Sequence, residues 1–372
     1  MPESILVTGG AGFIGSHVAD RLLAAGHRVR ALDNLTPQVH GEGAARPGYL
    51  AEDVELVTGD VRDPEAVRRA LEGIDSVVHL AARVGVGQSM YELAAYTSEN
   101  SAGTAVLLEA LLDRPVRKLV VASSMSIYGE GLYRTGDGRE VEARGRTREQ
   151  LERDEWEPVG PEGEPLEPVP TPESKRPALA SVYALNKYDQ ERLCLIFGGA
   201  YSMPVVALRL FNTYGTRQAL SNPYTGVLAI FASRLLNGNP PLVFEDGRQR
   251  RDFVSVHDVA HAFELALEGD GADGRALNVG SGSGGVTVLE IAEQLGAVLG
   301  RRIPPELTRN YRAGDIRHCF ADVSLARETL GYEPQVALED GMAELVEWLE
   351  GQVATDRVDA AAEELRKRGL TL

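Results

Sequence analysis

Residues 4–17 read SILVTGGAGFIGSH. A short apolar run breaks at clustered glycines, and a helical pattern, FIGSHVADRLLAAGH, begins at once. Glycines at 9, 12 and 15 give a GxxGxxG spacing rather than GxGxxG. Between a strand and a helix, such a loop marks a dinucleotide pyrophosphate site. Gly9 permits the tight turn, Gly12 lets backbone approach the phosphates, and Gly15 lets helix and strand pack closely. The phosphates would meet the free N–H groups of Phe13 and Ile14 at a helix N-terminus.

The pattern continues outward. HRVRALDN reads as a second strand ending at Asp33, at about the expected 20 residues. A carboxylate there binds an adenosine ribose diol and repels a 2′-phosphate. Asn34 follows instead of an arginine, so the expected cofactor is NAD rather than NADP. VELVTGD is a third strand, after which Asp60 and Val61 extend the candidate adenine edge; a lone Asp there also reads as a loop cap. DSVVHLAA and RKLVVASS are further strands, with a long helix predicted over about residues 91–112. Buried strands separated by helices predict a doubly wound parallel sheet of Rossmann type.

Later helices (VLAIFASRLLNG, VHDVAHAFELALEG, VTVLEIAEQLGAVLG) mix with strands PVVALRLFN, FVSV and ALNVG. They predict a smaller interleaved α/β substrate lobe. The expected division is an NAD-binding domain over 1–208 and 254–281, a substrate lobe over 209–253 and 282–350, and a tail over 351–372 read as an exposed charged helix. Residues 131–178 break the pattern with twelve Asp/Glu, eight Lys/Arg and seven of the 19 prolines. One short helix is predicted there, in TREQLERDEWE. Loops this long are functional or mobile, so a solvated surface insertion and a cover over the active site both stand.

At roughly 150 residues per domain, 372 residues suit about two domains. The net charge of -17 argues against nucleic-acid backbones and anionic membranes as partners. Two cysteines, Cys194 and Cys319, build neither a disulfide framework nor a four-thiolate zinc site. The opening residues lack a basic signal-peptide region, and no run of about 18 apolar residues exists. A cytoplasmic location is expected.

TGGAGFIGSH resembles the opening motif of the extended short-chain dehydrogenase/reductase family, the nucleotide-sugar epimerases and dehydratases. His79-Leu80-Ala81-Ala82 is similar to the family's fourth-strand motif, which implies that Leu80, Ala81 and Ala82 pass the cofactor. Asn100, in ENSAGT, matches the family's helix asparagine beside the active site. The resemblance covers roughly residues 1–130 and 177–345. His79 itself is expected to be a buried, hydrogen-bonded strand residue.

Tyr183-Ala-Leu-Asn-Lys187 places a phenol and an ammonium one helical turn apart on one face. A phenol titrates near pH 10, so a working base near neutrality needs a shift of about three units, or about 4 kcal/mol. A neighbouring Lys⁺ and a positive nicotinamide can supply it. YxxxK alone is common, but here it follows a complete dinucleotide loop. Tyr183 and Lys187 are therefore read as catalytic and cofactor-contacting. Ser123 and Ser124 end the fifth strand, where a hydroxyl can bond the reacting oxygen. The resemblance assigns catalysis to Ser124, a sugar contact to Ser126 and a cofactor contact to Ser123, which also reads as a loop cap.

The same segment separates the family's reactions. Dehydratases carry an Asp and a Glu where this chain has Met125 and Ser126, and a thioether moves no proton. Decarboxylases carry a Glu, and 3,5-epimerases a Cys, where Ser126 stands. Asn212, Arg251, Arg312 and Asp315 match residues that hold the sugar diphosphate and ribose. Ala313 replaces a usual proline, and His257 replaces an acidic residue before Asp258. Some relatives carry cysteine pairs in a similar insertion, pointing to zinc; this insertion has none, so no metal is expected.

The expected activity is NAD-dependent 4-epimerisation of a nucleotide-diphosphate sugar through a 4-keto intermediate. LDNLTPQVHG, VGVGQSMYE and EELRKRGL resemble the subgroup acting on dTDP-L-rhamnose. A stoichiometric 4-ketoreductase would use the same residues, and a non-catalytic NAD-sensing regulator would not need the Tyr/Lys pair. The resemblance also implies a homodimer built through the two long helices.

Overall fold

The computed structural model describes residues 2–220, 222, 226–312, 315–352, 356 and 358–371. Seven parallel strands form the central sheet: β1 (Ser4–Thr8), β2 (Arg28–Asp33), β3 (Glu55–Thr58), β4 (Ser76–His79), β5 (Lys118–Ser124), β6 (Val205–Leu210) and β7 (Arg275–Val279). Their order is β7-β6-β5-β4-β1-β2-β3. The chain winds one way from β1 to β3 and the other way from β4 to β7. The reversal between β1 and β4 opens a crevice at their carboxyl ends, where ligands bind in such sheets. Thr8 pairs with both Leu32 and His79 in register, so one level of the sheet meets that crevice.

The principal helices are α1 (Phe13–Ala24), α2 (Pro64–Ala70), α3 (Gly103–Asp113), α4 (Val182–Tyr201), α5 (Val227–Leu236), α6 (Val256–Glu268), α7 (Val288–Val298), α8 (Leu338–Leu349) and α9 (Val358–Lys367). Alternation along β1 sends Ile5 and Val7 to one face, with Val18 and Leu22 of α1 and Val259 and Phe263 of α6. Leu6 goes to the other face, with Val67 of α2, Leu107 of α3 and Cys194 of α4. A third core joins Tyr214, Phe231, Phe253, Leu295 and Leu345 in the lobe beyond the sheet.

The long helix expected over residues 91–112 is three consecutive pieces. An α-turn (Leu93–Tyr96) and a π-helical segment (Thr97–Ala102) precede α3. The wide turn of a π segment re-aims side chains and often marks a functional site; Asn100 lies inside it.

Two expectations change. Within residues 131–178 the helix is only Arg148–Leu151, and the rest includes a three-stranded antiparallel sheet with Leu132–Thr135 between Glu140–Glu142 and Leu166–Val169. This unit is docked by buried charge. Arg317, fully buried, binds Glu157 of the insertion together with Glu245 and Asp246. Arg146 of the insertion reaches Glu245 at 2.7 Å. The tail is helical but not wholly exposed. Ala361 and Leu365 of α9 are buried, and Leu365 lies against Gly87. Arg368 stacks on the Tyr91 ring at 4.3 Å, and Thr371 bridges to Arg312. The apolar residues of α9 are mostly alanines, and only Ala361 and Leu365 are buried, a stripe too narrow to read as a buried face in the sequence.

Candidate active site

The glycine loop is as tight as its spacing requires. Gly9 has φ +71°, and a Cβ there would press on the Ala81 backbone at 3.0 Å. A Cβ on Gly15 would strike the Gly9 carbonyl and lie 2.7 Å from Gly10 Cα. Gly10, which the spacing does not single out, is equally confined: its Cβ would meet Ala31 at 2.6 Å. Gly12 caps α1 without any side-chain acceptor, which leaves first-turn N–H groups, including those of Phe13 and Ile14, for a phosphate.

Asp33 Oδ2 accepts the Ala11 N–H at 3.1 Å and Oδ1 accepts the Leu35 N–H at 2.9 Å. These bonds aim the carboxylate at the loop. Asp60 is held by Arg62, at 2.6 Å, and by Asn34. The hydrogen bonds from Arg62 overcome burial and hold its carboxyl at about 2. Val61 packs against Gly103 at the base of α3. Leu80–Ala82 leave β4 beside Gly9. Asn100 secures their continuation: its Oδ1 accepts the Arg83 N–H at 2.7 Å and its Nδ2 donates to the Arg83 carbonyl at 3.1 Å.

Tyr183 and Lys187 stand on the first turns of α4. Ser181 caps that helix by accepting the Ala184 N–H at 3.1 Å, and Ser89 Oγ accepts the Tyr183 N–H at 3.0 Å. Burial pushes the Tyr183 phenol up to about 12, while a hydrogen bond with Ser124 pulls the other way. Burial lowers the Lys187 ammonium to about 8. Lys187 Nζ donates to Gln190 Oε1 at 2.8 Å. Ser123 turns inward, its hydroxyl on Glu191 at 2.6 Å, so any part it has at the cofactor falls to its backbone. Glu191 is gripped by Arg209 of β6 at 2.7 Å. His79 is buried between Thr8, at 2.7 Å, and Thr104, at 2.9 Å, as its strand position implied.

The substrate-side residues fall into two groups. Ser126 Oγ and Asn212 Oδ1 are buried with no hydrogen-bond partner among the described residues. Unpaired buried polar atoms are costly, which makes these two oxygens candidates for a ligand contact. Arg251 and Arg312 converge on Asp315, at 3.3 and 2.9 Å, and hold its carboxyl low against the effect of burial. Arg312 also stacks on Phe244 at 4.5 Å. Arg312 and Asp315 line a cleft of about 470 Å³ together with Glu142, Arg146 and Leu151 of the insertion. The Ala313 substitution lies outside the described residues. His257 pairs with Glu344 at 2.8 Å, away from this cleft.

Thr8, Ser89, Thr104, Gln190, Glu191 and Arg209 support the site without having been singled out in the sequence. Gln190 was findable: it is three residues beyond Lys187, hence on the same helical face.

A parallel sheet with a glycine phosphate loop at its switch point, and a tyrosine–lysine pair beside it, defines a dinucleotide-dependent enzyme of the extended short-chain dehydrogenase/reductase kind. Residues 5–152 and 155–280 match the NAD dependent epimerase/dehydratase family, and the chain belongs to that family. It is similar to dTDP-L-rhamnose 4-epimerase of Burkholderia thailandensis, 37% identical over 93% of this chain and 95% of that relative. Two solved structures are also similar. UDP-glucose 4-epimerase of Thermotoga maritima with UDP-glucose has TM-score 0.75 and 32% identity over 93% of this chain and 98% of that one. UDP-glucose 4-epimerase of Thermus thermophilus with NAD has TM-score 0.73 and 31% identity over 94% and 100%. The chain is thus an NAD-dependent nucleotide-sugar epimerase. No described helix is long and apolar enough to cross a membrane.

Proposed function

We propose that the enzyme inverts C4 of a nucleotide-diphosphate sugar, and that the sugar is a dTDP-linked 6-deoxyhexose such as dTDP-L-rhamnose. The observation that carries the reaction is Tyr183 and Lys187 set one turn apart on the buried face of α4, packed against β5 where Ser124 ends it. Met125 and Ser126 follow, and neither moves a proton as a carboxyl group would. The site therefore has one group for proton transfer to the sugar, which suits reversible oxidation at one carbon.

NAD, when bound across Gly9–Gly15 and Asp33, supplies the hydride acceptor and donor. Tyr183 takes the C4 hydroxyl proton and later returns it. Ser124 hydrogen-bonds the same oxygen as it changes between hydroxyl and carbonyl. Lys187 favours the tyrosinate by its charge. Ser126 and Asn212 offer their unpaired oxygens to the sugar diphosphate, and Arg251, Arg312 and Asp315 frame the nucleotide end. Firm nucleotide contacts and few sugar contacts would let the 4-keto sugar turn over. The insertion would form a cover by walling the cleft that Arg312 lines.

The two-lobed division into 1–208 with 254–281 and 209–253 with 282–350 is part of this reading. So is a homodimer, favoured by exposed Leu93 and Leu112 on the 93–113 helix and by Leu185, Ile196 and Tyr201 on α4. A cytoplasmic location completes it.

The test is to incubate the purified enzyme with dTDP-L-rhamnose, or with UDP-glucose, adding no NADH. The C4 epimer should form with no net cofactor change. No epimer from these sugars, with reduction of a 4-keto nucleotide sugar by stoichiometric NADH, would make the enzyme a ketoreductase. Y183F should lower kcat by about 10²–10⁴-fold; an undiminished rate would remove Tyr183 from the mechanism.

A further inference from the structure

Lys187 ends in a buried chain of hydrogen bonds that runs one way when His79 carries its proton on Nε2; Gln190 Nε2 also lies 3.4 Å from that ring nitrogen. Leu80 N–H and Ala81 N–H both donate to Thr8 Oγ1, at 3.2 Å each. The Thr8 hydroxyl proton is then free for His79 Nδ1, at 2.7 Å. With Nδ1 accepting, neutral His79 carries its proton on Nε2 and donates to Thr104 Oγ1 at 2.9 Å. His79 is neutral because burial, helped by Lys187, lowers it to about 3. Thr104 gives its own proton to the Asn100 carbonyl at 2.7 Å. Its oxygen can therefore only accept from Gln190, so Gln190 Nε2 faces Thr104 at 2.8 Å. Gln190 Oε1 is left for Lys187 Nζ, at 2.8 Å.

We propose that Gln190 is a positioning residue: it tethers the Lys187 ammonium with an uncharged acceptor, so that the full charge acts on Tyr183. The inference rests on Tyr183 being the base of the proposed reaction. A carboxylate in that place would hold Lys187 equally well but cancel its field.

The surrounding groups preserve the same condition. Glu191, on α4, still attracts the Lys187 ammonium but shares its charge with Arg209 through two hydrogen bonds, at 2.7 and 2.9 Å, and accepts one from Ser123. Cys194, on the next turn, is a buried thiol pushed up to about 12 and hence uncharged. β4 presents neutral His79, the 97–113 helix presents Thr104 and Asn100, and β5 presents Ser124. None of these cancels the ammonium. The π segment helps to set Thr104, since its acceptor is the carbonyl of Asn100.

The test compares Q190E, Q190M and the parent by two readouts. One is tyrosinate difference absorbance against pH, with and without added NAD, using Y183F as blank. The other is the pH profile of kcat. Cancelling a neighbouring opposite charge shifts a titrating group by about one unit or more. In Q190E with NAD bound, whose positive nicotinamide lowers the phenol, the Tyr183 midpoint and the acid limb should both rise by about one unit, a tenfold loss of rate on the acid side that closes at higher pH. The alkaline limb should rise too, because a carboxylate holds the Lys187 proton. In Q190M the ammonium loses its acceptor, so the alkaline limb should move to lower pH.

Limbs and midpoints matching the parent in both variants would overturn the proposal, as would equal shifts in the same direction. If Q190E does not fold, Q190M decides: a downward alkaline limb supports the tether, and an unmoved one overturns it. A parent inactive on all nucleotide sugars would remove the functional reading, while the tyrosinate titration would still judge Gln190.

Discussion

Replacing Arg209 with Met tests how the catalytic helix is held. Arg209, on β6, crosses to α4 and binds Glu191 through Nη2 at 2.7 Å and Nε at 2.9 Å. Its Nη1 also donates to the Tyr128 hydroxyl at 2.9 Å and the Glu173 carbonyl at 3.1 Å. The two side chains are 8% and 1% exposed, so solvent screens little of the attraction. Burial would depress an arginine, yet the Glu191 bonds dominate and raise it above its ordinary value. Met fills similar volume but removes the cation and four donor contacts. Among the described residues, Glu191 then keeps the Ser123 hydroxyl as its one side-chain hydrogen-bond donor.

Removing one partner of a buried pair costs about 3–5 kcal/mol. Against a typical net stability of about 5–15 kcal/mol, that is a large share. The assay is urea unfolding followed by circular dichroism, at fixed enzyme and NAD concentrations. R209M should lose about 3–5 kcal/mol, and R209M/E191Q should recover much of it, because a neutral amide leaves no stranded charge. A loss in R209M below about 1 kcal/mol, or a double variant no better than R209M, would refute the reasoning.

Three further outcomes are expected. G15A should abolish NAD retention, since its Cβ has only backbone to displace; stoichiometric NAD in the purified variant would contradict the loop geometry. The double variant L365A/R368A should raise KM for the nucleotide sugar several-fold with kcat little changed, because α9 packs on Gly87 and Tyr91 and its end meets Arg312; an unchanged KM would leave α9 without a part in binding. The docking of the insertion should weaken in acid. Burial alone would raise Glu157, but His318 and Arg317 hold it at about 2. A depressed carboxyl contributes its stabilisation above its ordinary value of 4.5 and loses it as pH falls toward about 2. The emission of buried Trp156, in a W348F background, should shift red over that window; a flat emission would count against it.

The central sheet was legible because strand, glycine turn and helix follow one another within residues 4–17, each fixed by local sterics. Asp33, Tyr183 and Lys187 were legible because their chemistry depends on spacing. The insertion was not. Its strands are three or four residues long and gain stability from pairing and from Arg317, which lies far along the chain. The support of Lys187 was hidden for another reason. Thr8, His79, Thr104 and Gln190 come from four elements; His79 read as a buried strand residue and Gln190 shares a helical face with Lys187, but neither pattern names its partner. Only the fold brings them together in the dry interior. The inward turn of Ser123 is of the same kind, since its partner Glu191 resembles any exposed helix acid.

The most direct measurement follows deuterium placed at C4 of dTDP-L-rhamnose, with excess unlabelled NADH in solution. The account predicts an epimer that keeps the deuterium at C4, because the hydride leaves and returns within one closed site. Product that has lost its label, or deuterium appearing in the free cofactor pool, would contradict it.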